Sequence, residues 1–434
     1  MGPTEVGLLG LVALLGLLAA RMPVGMAMLM VGAAGIWVLN GWEAAVATLR
    51  SQPLVVASNA EFIVIPLFVL MGNLAAVSGL SQDLYRAAYV WIGHWRGGLA
   101  SATIVACTGF SALSGSSVAC AVTMGRVSLP EMLRYKYDPR LATGAIAAGG
   151  TLGILVPPSA GFILYAILTE ESIGRLFLAG VIPGLILASL FMIAISLLTR
   201  IYPRYGPPGP GFPLSERLKS TRQASAMLGI VLITIGGIYT GLFTVNEAAG
   251  IGTFLALVLV LVRKRLTWAT LNMALLDTIR TTAFIFFILI GASLFTPFVA
   301  LTGIPTALAE ALTSLELPRV GTLLIILVAY VVLGMFLEGF AMLVLTLPIV
   351  HPIILALGYD PIWFGVLIVI VLEMGLITPP VGLNVFVVKG IAGDVPMSQI
   401  FRGVIPFWIA MLLCAGILVA VPQLALFLPR SMIG

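Results

Sequence analysis

Gly149-Gly150-Thr151-Leu152-Gly153-Ile154-Leu155-Val156-Pro157-Pro158-Ser159 is an apolar, helix-forming run that stops at two consecutive prolines. It has a counterpart in Gly375-Leu376-Ile377-Thr378-Pro379-Pro380-Val381-Gly382-Leu383-Asn384. Each proline lacks an amide donor, and the residue before it is pushed out of helical geometry. The carbonyls one turn upstream then lose their partners. In hydrocarbon, each such group costs several kcal/mol unless something binds it. A sodium ion fits, because hard cations prefer oxygen ligands. A lone Pro-Pro pair reads equally as a structural kink; its recurrence in the second half argues for a paired function.

The surroundings place both breaks in a membrane. Of 434 residues, 60% are hydrophobic and 9% are charged, with a mean hydropathy of +1.15. A globular chain carries roughly 25% charged residues, and too few are present here to clothe a soluble surface. The 47 Gly and 26 Pro suit broken, closely packed helices, since the chain is too apolar for collagen or a disordered linker. Runs of about 20 apolar residues lie near 5–20, 23–39, 61–78, 141–169, 176–199, 224–242, 245–262, 281–300, 320–335, 362–388 and 400–421. The expected fold is an all-α polytopic membrane protein of about 11–12 spans. Met1 to Ala20 lacks a basic leader and reads as a retained first span. The segments 43–58 and 82–96 mix charge with aromatics and suit helices at the interface.

Charge sets the orientation. The linker 200–223 is rich in Pro and Gly and carries Arg200, Arg204, Arg217, Lys219 and Arg222. It shares a side with Arg263-Lys264-Arg265 and with the 126–140 segment (Arg126, Arg134, Lys136, Arg140), which makes that side cytoplasmic. The net charge of +5 therefore reports topology and gives no sign of nucleic-acid binding.

The halves repeat. Leu155-Val156-Pro157-Pro158 returns as Ile377-Thr378-Pro379-Pro380, an offset of 222 (377 against 155). Gly180-Val181-Ile182-Pro183 returns as Gly403-Val404-Ile405-Pro406, offset 223, and Phe68-Val69-Leu70-Met71-Gly72 as Phe287-Ile288-Leu289-Ile290-Gly291, offset 219. Repeated halves with interrupted helices mark secondary transporters, whose sites lie near the bilayer midplane. The chain divides into scaffold spans with an interfacial helix (1–60), a first repeat (61–199), the cytoplasmic linker (200–223), further scaffold (224–280), a second repeat (281–421) and a tail (422–434).

Two more apolar stretches, 99–122 and 338–357, are interrupted. Ser114-Gly115-Ser116-Ser117 sits in the middle of the first and reads as the tip of a re-entrant hairpin, which is tolerated only inside protein or at a water-filled cavity. The matching stretch, Leu337-Glu338-Gly339-Phe340, lacks the serines. Glu338 and Glu373 are the deepest carboxylates. Glu373 facing Lys389 across the broken helix is one reading, and a proton relay is another. Three cysteines in apolar runs and two histidines build neither a disulfide framework nor a transition-metal site. No Walker sequence is present, so the chain is not expected to hydrolyse ATP or to be an enzyme.

These motifs, with Ile65-Pro66-Leu67-Phe68-Val69-Leu70-Met71-Gly72, resemble the large membrane subunit of TRAP transporters (tripartite ATP-independent periplasmic transporters, the DctM-like family) over essentially the whole chain. The resemblance implies an inverted-repeat, elevator-type secondary transporter in the bacterial inner membrane. It implies two Na⁺ sites. One joins Ser114 and Ser116 to Gly153, Val156 and Pro158; the other joins Gly339 to Gly375, Thr378 and Val381. Substrate is expected between the tips, near Ser117, Ser159, Pro380, Gly382 and Asn384. The implied partners are a small four-span membrane subunit and a periplasmic substrate-binding protein that delivers an organic acid such as a C4-dicarboxylate or a sialic acid. The ligands at the second tip are least defined, because Leu337-Glu338-Gly339-Phe340 departs from a serine-rich pattern. The rival readings are a stand-alone divalent-anion or citrate-type symporter and, from another class, a channel. A channel lines its path with rings of polar groups, whereas this chain concentrates them in two clusters.

Overall fold

Apolar runs bounded by Gly, Pro or a capping side chain become helices here. The computed structural model describes residues 2–314 and 318–432; Met1, 315–317 and 433–434, parts of the first-span, second-repeat and tail segments, lie outside the described residues. The first helices are α1 (Pro3–Ala19), α2 (Val24–Asn40), α3 (Trp42–Ser58) and, after a 3₁₀ turn at Ala60–Ile63, α4 (Val64–Val77). Next come α5 (Leu80–Ile92), α6 (Gly98–Ser114), α7 (Ser117–Arg134), α8 (Pro139–Leu155), α9 (Ala160–Thr169) and α10 (Ile173–Ile201). The second half holds α11 (Leu214–Tyr239), α12 (Val245–Val262), α13 (Trp268–Leu301), α14 (Ile304–Ser314) and α15 (Arg319–Gly334). It ends with α16 (Gly339–Ala356), α17 (Pro361–Leu376), α18 (Leu383–Ala392), α19 (Met397–Ala420) and α20 (Gln423–Arg430). No strand occurs among the described residues.

Among the described residues, seven helices are long and apolar enough to cross a membrane, or eight counting α8 and α9 as one span bent by 40°. Residues 320–335 belong to α15, which is not a separate crossing. The chain turns at Met335–Glu338, and α16 runs back against it. The guanidinium of Arg319 lies beside Gly358, so both ends of this hairpin meet at one surface. The first hairpin, α6 and α7, is closed at its base by the Leu99 amide, which donates to the Tyr137 hydroxyl at 3.1 Å. The basic stretch 200–223 is only partly irregular: α11 begins at Leu214, so its last ten residues are helical. The 281–300 run extends back to Trp268, making α13 a single helix of 34 residues.

The repeat is structural. Helices α6–α10 recur as α15–α19, with the first residues of α7 and α16 222 positions apart (339 against 117). Left-handed residues recur with them: Gly79 and Gly303, Lys136 and Gly358, Glu170 and Gly393. Tyr137-Asp138-Pro139 and Tyr359-Asp360-Pro361 repeat at the same offset. This is the most direct echo in the sequence, because it has a mechanism. In each copy Asp is the N-cap and Pro the first helical residue, of α8 and of α17. Burial works against the Asp138 charge, but hydrogen bonds from Arg140 hold that carboxyl below its usual range. The two halves also cross. Helix α2 packs on α13 so closely that a Cβ on Gly291 would sit 2.4 Å from the Gly25 carbonyl oxygen, a small-residue contact typical of membrane helices. Helix α12 packs on α4, with the Thr253 hydroxyl donating to the Leu67 carbonyl at 2.7 Å.

Contacts between helix ends sort the surface into two faces. On one, Arg263 pairs with Asp83, Arg86 with Glu216, and the Asp138 amide donates to the Tyr205 carbonyl. On the other, Thr4 reaches Thr302, Asn246 reaches Ala60, and Tyr165 reaches Pro361. The basic loops lie on the first face, which the positive-inside rule makes cytoplasmic. The base of the first hairpin lies there, and the base of the second lies on the opposite face. Single cysteines at Arg134 and Tyr359 are therefore expected to react with impermeant maleimide from opposite sides, over a low background because all three native cysteines are buried. Labelling of both from one side contradicts the inversion.

Candidate functional site

At the first break, α8 ends at Leu155 and α9 begins after Ser159, whose hydroxyl donates to the Ile154 carbonyl and accepts the Phe162 amide at 3.2 Å. Ser159 thus repairs part of the damage the prolines cause, and its hydroxyl is engaged within the break. Both Pro-Pro bonds, 157–158 and 379–380, are cis. The first tip closes directly on this break. Gly115, left-handed at φ +58, caps α6, and its carbonyl accepts the Ala160 amide at 3.3 Å. A Cβ on Gly115 would meet the Pro158 carbonyl oxygen at 3.0 Å, and one on Gly153 would meet the Ser116 carbonyl oxygen at 2.5 Å. Backbone thus lies against backbone across the whole junction.

Ser114, Ser116, Gly153 and Pro158, four of the five residues expected at one cation site, are brought together by these contacts. Val156 caps α8 on the same segment. The Ser114 hydroxyl is buried and has no hydrogen-bond partner. It borders a small cavity of ≈ 20 Å³, shared with Gly115, Pro158 and Phe68, room for about one water-sized sphere. The cavity thus sets one orphaned hydroxyl beside a space of about one water's size. The Ser116 hydroxyl caps α7, accepting the Ala119 amide at 3.3 Å.

The second junction differs in chemistry. Glu338 caps α16 with its own carboxylate, accepting the Phe340 and Ala341 amides, each at 3.1 Å. Gly339 is the first residue of α16 and packs against Leu372. Gly375 lies against Gly334, and a Cβ on it would be 2.6 Å from the Gly334 Cα. The Thr378 hydroxyl donates to the Met374 carbonyl at 2.5 Å and accepts Trp408 Nε1 at 3.0 Å. Pro380 and Val381 are exposed, and Gly382, at φ +63, starts α18. Thr378 and Pro379 border a cavity of ≈ 240 Å³ with Arg402 and Trp408. Asn384 is fully buried, and both its amide atoms lack partners.

One contact crosses the repeats. Ser117 Oγ donates to Glu373 Oε1 at 2.5 Å, and both residues are buried. The pairing of Glu373 with Lys389, one of the two readings, does not form: the Lys389 ammonium donates to the Gly393 carbonyl, one turn along its own helix end. Sequence reasoning missed the Ser117–Glu373 link because 256 residues separate the partners. Among the described residues no group of three His, Cys, Asp or Glu could hold a metal ion.

A profile of the tripartite ATP-independent periplasmic transporter, DctM component, matches residues 11–424. The chain belongs to this family. It is 36% identical to the C4-dicarboxylate TRAP transporter large permease of Pseudomonas aeruginosa over 375 residues, 86% of this chain and 87% of that one. It is 33% identical to the sialic acid TRAP transporter large permease of Vibrio cholerae over 421 residues, 97% of each. To the ectoine TRAP transporter large permease of Halomonas elongata it is 32% identical over 416 residues, 96% of this chain and 97% of that one. The crystal structure of the Alcanivorax borkumensis YdaH transporter shares the fold at a TM-score of 0.55 and 15% identity, covering 91% of this chain and 90% of that one.

The glycine contacts are testable. Gly375→Ala is expected to destabilise the protein by roughly 1–3 kcal/mol, the usual range for forced overpacking. Gly416→Ala, which meets open space in α19, leaves the thermal midpoint unchanged or slightly raised. Equal midpoints for the two variants contradict the close Gly334–Gly375 approach.

Proposed function

We propose that the chain is the large membrane subunit of a Na⁺-coupled secondary transporter that imports an organic acid across the bacterial inner membrane. A periplasmic binding protein delivers the acid, and a small four-span subunit completes the membrane complex. The observation that carries this reading is the pair of proline breaks, each with a hairpin packed against the helix that precedes it, the two hairpins having their bases on opposite faces. This is the pattern of transporters whose ions bind where helices are interrupted. One Na⁺ is held by Ser114, Ser116, Gly153, Val156 and Pro158, and a second by Gly339, Gly375, Thr378 and Val381. The substrate sits between the tips, near Ser117, Ser159, Pro380, Gly382 and Asn384. The unpartnered Asn384 amide, able to donate to a carboxylate and accept from a hydroxyl, supports that placement. Relatives named for C4-dicarboxylates, sialic acid and ectoine support a small carboxylate as cargo.

In this reading the hairpins and broken helices travel together against the remaining spans, in the elevator manner. The interlocked backbone at each junction favours rigid-body motion over opening of a tip.

Two experiments test the proposal. Reconstituted with its partner proteins, the chain is expected to take up substrate under an imposed Na⁺ gradient; full uptake driven by H⁺ without Na⁺ contradicts the coupling. Ser116→Ala removes one hydroxyl oxygen, a contact worth about 1–3 kcal/mol. The apparent Na⁺ affinity for uptake is then expected to fall roughly 5- to 150-fold, while Ser51→Ala, outside both tips, has no effect. Wild-type uptake by Ser116→Ala at limiting Na⁺ removes that hydroxyl from the site.

A further inference from the structure

The two hairpins solve one problem differently. The return helices α7 and α16 are equivalent by the repeat, and each begins at a buried residue, Ser117 or Gly339, with a positive helix end. Helix α16 brings its own carboxylate, Glu338, as N-cap. The equivalent position on α7 is Ser116, which carries no charge. The carboxylate at the start of α7 comes instead from the other repeat, as Glu373, which accepts the hydroxyl of Ser117, the first residue of α7.

Glu373 is 1% exposed, and its second oxygen, Oε2, is buried without a partner. None of the ion pairs among the described residues includes Glu373 or Glu338. A carboxylate in this position is costly unless something offsets it. One hydroxyl and a helix end do so only in part. The first tip meanwhile presents carbonyls and the unpartnered Ser114 hydroxyl, all uncharged.

We infer that Glu373 is a positioning residue for the first cation site: it fixes the start of α7 and supplies the negative charge against which a cation is held at the Ser114–Ser116 tip. The inference rests on the Na⁺-coupled reading above and adds to it. Each cation site then has a carboxylate at the start of the hairpin's return helix, one native to its own repeat and one contributed by the other. Both ion sites and both repeats become a single electrostatic unit, so that occupancy of the first tip is sensed in α17 of the second.

The test reads ion binding directly. Thermal midpoints of the purified protein are measured against NaCl, with choline chloride holding ionic strength constant. Glu373→Gln keeps an acceptor for Ser117 and removes only the charge. Its half-stabilising Na⁺ concentration is expected to rise roughly tenfold or more, the ratio that about 1.4 kcal/mol produces. Asp277→Asn, which removes a carboxylate charge from the exposed pair with Arg280, is expected to stay within about threefold of wild type, below half that free-energy step. If Glu373→Gln does not fold, the exchange Ser117→Asp with Glu373→Ser moves the carboxylate to α7; a restored Na⁺ response supports the inference, and a folded exchange variant with none overturns it. A folded Glu373→Gln within about twofold of a responding wild type also overturns it and leaves the coupling reading standing. A wild type that responds alike to Na⁺ and choline removes both.

Discussion

Everything in this protein follows from backbone polar groups that cannot be left bare in hydrocarbon. Pro157-Pro158 and Pro379-Pro380 break two helices and leave the carbonyls one turn upstream without their helical partners. The protein answers with further backbone and with side-chain hydroxyls. The Gly115 carbonyl takes the Ala160 amide, the Ser159 hydroxyl takes the Ile154 carbonyl, and the Thr378 hydroxyl takes the Met374 carbonyl. Glycines at 115, 153, 334 and 375 are the geometric condition for that repair, since a Cβ on any of them would meet a facing backbone atom at about 3 Å or less. Around the two junctions, the buried side-chain atoms left without a partner are the Ser114 hydroxyl, one oxygen of Glu373 and the Asn384 amide. Those few atoms mark where a bound ion or substrate has something to do.

Much of this architecture was legible in the residues. Membrane placement follows from composition alone, and the double-proline echo located both breaks to the residue. The Ser-Gly-Ser-Ser cluster located the first tip for the same reason: small polar residues are found mid-membrane only where the chain turns. Residues 320–335 misread as a span because an entering hairpin arm is as apolar as a crossing helix, and only its contact partners at Gly358 distinguish the two. The start of α11 was hidden because Arg217, Lys219 and Arg222 look like linker, yet they form the solvated first turns of a helix. The Tyr-Asp-Pro echo was present in the sequence and went unread, although Asp at a cap followed by Pro is one of the stronger helix-start signals.

The site was legible in its parts and opaque in its assembly. Glu373 illustrates why. The next helix, across the break, offers Lys389 as a partner, and local reasoning pairs the two. The structure pairs Glu373 with Ser117 of the other repeat, and Lys389 turns to a carbonyl at the end of α18. Spacing arguments work within an element and say nothing about which elements the fold brings together. The same limit applies at the second tip, where Glu338 reads in the sequence only as a deep carboxylate and is a helix cap. The inverted repeat accounts for both, because it begins α7 and α16 each at a buried residue, with a carboxylate at each.

The central claim is that the two breaks with their tips are the cation sites. Equilibrium binding of radiolabelled Na⁺ to the purified protein tests it most directly. Gly153→Val and Gly375→Val each fill one junction, through a side chain that would strike the Ser116 carbonyl or Gly334 backbone. Each variant, folded by size-exclusion and circular dichroism, is predicted to lose part of the bound Na⁺, and the double variant to lose all of it. Folded variants that bind Na⁺ as wild type does would contradict the account.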